Sequence, residues 1–177
     1  GHKFQPFDAT ERAEISGSTL AFLDELRALL LTGFGPEVEG SRAERLGQIH
    51  DPQCSQGPFP GRNAMVTALF ATLAGVDHSR AVAQAMLSGD VSFSLATLTR
   101  GAIESYGRAW WLIEPEDDNQ LIIRWLSGLA SELTTFAKVN PDGVLTEIRR
   151  HHSDVASEMP RLLRDIERLT ESRTQLK

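Results

Sequence analysis

Arg100, Glu104 and Arg108 follow one another at intervals of four residues, the spacing that stacks side chains on one face of an α-helix. Glu104 then has one arginine a turn before it and another a turn after it. Trp111 falls on the same stripe. Exposed to water, such a row is a set of screened ion pairs. Covered, it becomes either a closed polar network, because every buried charge needs a partner, or the floor of an anion site, because guanidinium groups offer forked donors to carboxylate and phosphate. Arg100, Glu104, Arg108 and Trp111 are therefore the candidate recognition residues, for a protein partner or a small anionic ligand.

Glu147, His151, Asp154 and Glu158 share a second stripe, at i, i+4, i+7 and i+11. Glu147, His151 and Asp154 have the donor types of a metal site. A carboxylate-bridged dimetal bundle, however, needs Glu-x-x-His sets on other helices, and the chain contains neither that motif nor His-x-x-x-His. A solvated acidic face is the simpler expectation, with His50 and His78 as isolated histidines. The run Arg149-Arg150-His151-His152 sets two arginines directly before two histidines. No Gly-x-Ser-x-Gly elbow and no glycine-rich phosphate loop ending in Gly-Lys is present, so no catalytic set is assigned. The single cysteine, Cys54, has no Cys-x-x-Cys partner and reads as an incidental loop thiol.

The charge balance is acidic, with 24 Asp and Glu against 18 Lys and Arg, which argues against a dedicated nucleic-acid surface. No apolar run reaches the roughly 18 residues of a membrane span. A lone cysteine and the absence of a leader-like opening point to a cytoplasmic protein without a bound cofactor. Gly1-His2 resembles the remnant of an affinity tag, and residues 1–7 are expected to be a flexible start.

All of these residues need helices to position them, and helical periodicity runs through the whole sequence. Asp8-Ala9-Thr10-Glu11 has the form of a capping box, and Leu20, Leu23, Leu26 and Leu30 then repeat at helical spacing up to Gly33-Phe34-Gly35-Pro36. The stretch 33–61 is irregular, with the strings G-F-G-P and Q-G-P-F-P-G around one short helix capped by Ser41, so an excursion of low order is expected there. Residues 62–87 form a third helix, with a possible break at 75–77, and Asp90 is placed to cap the next. Residues 91–115 are apolar almost all round and read as a central, largely buried helix. Its Gly101, Ser105 and Gly107 suggest close approach by a neighbour. A fifth helix follows Pro115 and runs to Asn140-Pro141. A sixth carries Val144 to Met159, and Pro160 suits the first position of a seventh. The expectation is an all-α, single-domain bundle of five to seven helices.

The segment 95–115, with Leu-x-x-Leu-x-Arg-x-x-x-Glu followed by Trp-Trp-Leu-Ile-x-Pro, resembles a type of helical protein common in high-GC bacteria. It is also distantly similar to the HEPN superfamily of helical bundles, many of them ribonucleases, toxins or nucleotide-binding partners. That resemblance implies a helical fold. It carries over no catalytic residue, because the family's arginine precedes its histidine by four to six positions, whereas Arg149 and Arg150 directly precede His151 and His152. The functional expectation is a non-enzymatic interaction or ligand-binding protein that self-associates, as a homodimer. A HEPN-like ribonuclease or a metal-dependent hydrolase is the alternative.

Overall fold

The computed structural model describes residues 7–33, 38–88, 93–139 and 146–175; side chains at 93, 136–139, 146–156, 173 and 175 lie outside that description. The chain is all-α. Six helices form among the described residues, with no strand: α1 (Ala9–Thr32), α2 (Arg42–Gln48), α3 (Pro60–Ser88), α4 (Phe93–Ile113), α5 (Asp118–Val139) and α6 (Thr146–Gln175). None of them is long and apolar enough to cross a membrane. The fold divides into two compact units, one of residues 1–37 with 68–110, the other of 38–67 with 111–177.

Local chemistry explains where the helices start. The Asp8 carboxylate accepts from Thr10 N–H and Glu11 N–H at 2.7 and 2.9 Å, and Glu11 reaches back to Asp8 N–H at 2.9 Å. These bonds satisfy orphan donors of the first turn of α1. Ser41 Oγ does the same for Glu44 N–H in α2, and Asp117 for Asn119 and Gln120 N–H in α5. Asp90, the expected cap of α4, lies outside the described residues, as do residues 1–6.

In the first unit the buried residues are small. Ser16, Ala68, Gly75, Ala83, Ala102 and Ala109 are sealed, with Leu23 and Val76. Gly75 does not break α3: a Cβ there would stand 2.7 Å from the Tyr106 ring, so the glycine admits α4's tyrosine against the helix. Gly101 likewise faces His78, at 3.1 Å from a Cβ position, whereas Gly107 has nothing near it and answers no packing need. The large apolar side chains stay outside. Ile15, Phe22, Leu29, Phe70, Ile103 and Trp110 are all exposed, Trp110 at 66%. The expectation of a largely buried central helix thus fails within this unit. Alanine and glycine take most of the buried positions of α3 and α4 in this unit, with close approach at Gly75 and Gly101.

The second unit has the opposite composition. Leu46, Leu112, Leu121, Ile122, Leu126 and Leu162 are fully buried, and α5 packs along α6. Arginines finish α4 within this unit: Arg42 Nη1 donates to the Ile113 carbonyl at 3.0 Å and Arg124 Nη1 to the Trp111 carbonyl at 2.6 Å. Cations at a helix C-terminus satisfy orphan carbonyls and oppose the negative end of the helix dipole. Pro160 starts no seventh helix; α6 runs straight through it. Proline removes one backbone hydrogen bond and costs about 3 kcal/mol in a helix interior. The apolar residues after it, with Leu162 fully buried, bring the continuous helix against α5 and offset that cost.

The irregular segment is ordered over residues 38–59. Asp51 N–H donates to the Pro58 carbonyl at 2.8 Å, closing two successive turns, and Gly57, at the end of the second, takes a positive φ of 107° that glycine adopts freely. Helix α6 then holds the segment. Asp165, 5% exposed, accepts from Ser55 N–H at 2.9 Å and Ser55 Oγ at 2.6 Å. Arg168 bridges Asp51 and Asp165, and Gln56 donates to Glu158 at 3.1 Å. Asp165→Ala would leave a backbone N–H and a hydroxyl without an acceptor; the expected loss is about 3 kcal/mol in urea unfolding, and smaller for Asp165→Asn, which keeps a carbonyl acceptor.

Candidate functional site

The charged row of α4 is open to water. Arg100 and Glu104 pair at 2.6 Å with side chains 80% and 62% exposed, and the hydrogen bond that Arg100 donates to Glu104 raises the Arg100 pKa. Arg108 is exposed as well. The arrangement is a solvated ion-pair row, neither a buried network nor a sealed floor. Trp111 has its own partner in the second unit. The Arg124 guanidinium lies over its ring, 5.6 Å from the centroid, while the same arginine pairs with Glu114 at 2.7 Å. Trp111 is thus a platform for the arginine that finishes α4, and the cation–π contact accounts for a tryptophan among charges.

Arg149, Arg150, His151, His152, Glu147 and Asp154 lie on α6 with side chains outside the described residues, so neither the ribonuclease set nor the metal set has a geometry to report. Among the described residues no three His, Cys, Asp or Glu converge on a metal position. His50 packs against the Phe59 ring at 5.2 Å, and His78 against Gly101. Cys54 is buried beside the Asp165 clamp. Burial pushes its thiol pKa up, with the Asp165 and Asp51 charges acting in the same direction against a lowering backbone hydrogen bond. A thiol held in its neutral form is a poor nucleophile.

The first unit contains a concave feature that sequence periodicity missed. Helices α1, α3 and α4 enclose a half-open pocket of about 290 Å³, walled almost wholly by apolar atoms and lined by Ile15, Ser16, Val82, Met86, Ile103 and Tyr106 among others. Its polar groups are hydroxyls. Thr19 Oγ1 donates to the Ile15 carbonyl at 2.7 Å, and Ser79 and Tyr106 pair at 3.3 Å. Ser16, 1% exposed, has a hydroxyl with no partner. The sequence does contain a signal for it: Ser16 stands one turn before Leu20 and seven residues before Leu23, a polar residue in an apolar register. Ion pairs of α1 with α3, Arg27 with Asp77 at 3.5 Å and Arg80 with Asp24, hold two walls of the pocket together. No protein-family model, no curated protein and no solved structure matches the chain.

Two outcomes follow from these environments. Arg100→Ala should leave the melting temperature unchanged within error, since an exposed pair is screened by solvent; a clear fall would mean that the row is structural. Cys54 should react slowly with a thiol-specific chromogenic disulfide at pH 8 in the folded chain and rapidly in urea. Because folding raises this pKa, its stabilising contribution is complete below about pH 8.5, the ordinary cysteine range, and declines as the unfolded chain ionises above it.

Proposed function

We propose that this chain is a non-enzymatic helical binding protein that takes a small apolar ligand between α1, α3 and α4. One observation carries the reading: an apolar pocket stands in a unit whose buried positions are mostly alanine and glycine while Ile15, Phe22, Phe70, Ile103 and Trp110 are exposed. Ile15 and Ile103, two of these exposed apolar residues, line the pocket itself, where a ligand would cover them. Ligand pockets of this kind are mostly apolar with a few placed polar groups, and range upward from about 300 Å³. The exposed Arg100-Glu104-Arg108 row lies on the same helix as Ile103 and Tyr106, so surface recognition through it would be distinct from the pocket itself.

Naphthalene is a suitable probe, followed by methyl NMR. Saturable shifts are expected at Ile15, Met86 and Ile103, with Ile122 and Met65 unmoved. Ile103→Ala, at a position 67% exposed where folding is little affected, should weaken binding about fivefold through lost apolar contact. Ala102→Leu should fill the pocket and weaken it further. Absence of a saturable shift at those three methyls, or equal shifts at Ile122, would overturn the reading.

A further inference from the structure

We infer that the ligand is an uncharged molecule with a compact apolar body and one hydroxyl or carbonyl oxygen, held by the hydroxyl of Ser16. The inference rests on the pocket being a binding site and goes beyond it by fixing the ligand's chemistry. Hydroxyls inside these helices ordinarily turn back to the carbonyl four residues earlier: Thr19, Thr67, Thr72, Thr134 and Thr170 all do so, at 2.7–2.9 Å. Ser16 does not. It is 1% exposed, lines the pocket and has no hydrogen-bond partner among the described residues. A buried hydroxyl left unpaired is destabilising, and a ligand oxygen accepting from it removes that penalty on binding.

Charge and size narrow the class further. Among the described residues no Asp, Glu, Lys, Arg or His lines the pocket, so a carboxylate or an ammonium buried there would have no counter-charge to replace its hydration. A cavity of about 150 Å³ is known to hold one benzene ring. The pocket, at about 290 Å³, therefore suits a body of two fused rings or a similarly compact carbon skeleton. Alcohols, phenols and ketones of that size are the class that fits.

Three probes of one shape separate the possibilities: naphthalene, 2-naphthol and 2-naphthoate, titrated at neutral pH into the full chain and into Ser16→Ala. 2-Naphthol is expected to bind about fivefold tighter than naphthalene, the advantage of one net hydrogen bond, and 2-naphthoate at least tenfold weaker than 2-naphthol. Ser16→Ala should erase the naphthol advantage while leaving naphthalene affinity unchanged. The variant should melt at the same temperature as the parent or higher, because it deletes an unpaired hydroxyl; a purely structural serine would lower it. Equal affinity for naphthalene and naphthol, as expected if a water satisfies Ser16, would overturn the inference while sparing the pocket. So would a naphthol preference that survives Ser16→Ala, or tightest binding by naphthoate. Failure of all three probes to bind would overturn the pocket reading and the inference together.

Discussion

A carboxylate sealed inside the second unit fixes where the least regular part of the chain can go. Asp165 stands beside Arg168 of its own helix and takes two hydrogen bonds from Ser55, which form only while residues 51–58 lie against α6. The segment has almost no secondary structure of its own; its two turns end at Gly57, shortly before α3 starts at Pro60. Helix α2 is set by the same constraint from the other side, since a side chain on Gly61 would run into the Leu46 carbonyl. One buried acid thus anchors the path from α2 into α3 together with the buried apolar side chains of Leu46, Cys54 and Pro60. Such a network is stable only when complete, because each member left alone in low dielectric is costly.

The two units use apolar residues in opposite ways. Burying a leucine or phenylalanine side chain contributes about 1.5–3 kcal/mol, several times what an alanine methyl gives. The second unit collects that contribution at Leu46, Leu112, Leu121, Ile122, Leu126 and Leu162. The first forgoes most of it and gains close helix approach instead, with Tyr106 seated on Gly75. Its exposed apolar surface is therefore a consequence of how its interior is built, and the pocket is where that interior stays unfilled.

Much of the helical layout can be read in the sequence, because capping and periodicity are local. Asp8, Ser41 and Asp117 all cap helices, and the 3.6-residue repeat marks the faces of α1, α3 and α5. Local signals misled where packing decided the outcome. Pro160 and Gly75 look like helix breaks, yet contacts made at long range keep α6 and α3 continuous. The candidate site was harder to find. Arg100 and Glu104 pair as their spacing requires, but spacing cannot say whether a pair is wet. Ser16 and Asp165 were visible only as polar residues in apolar registers, and in one sequence that pattern does not distinguish a clamp from a ligand contact.

Neither unit is a continuous length of chain: residues 1–37 join 68–110, and 38–67 join 111–177. No single cut in the polypeptide can release either one whole. During synthesis the first unit waits for the end of α4, while residues 38–67 emerge early and must stay uncommitted until α6 supplies Asp165 and Arg168. The first unit is complete in sequence at residue 110, whereas residues 38–67 lack the rest of their unit until 111–177 have followed. A truncation before Asp165 would leave its segment 51–58 without the acid that orders it.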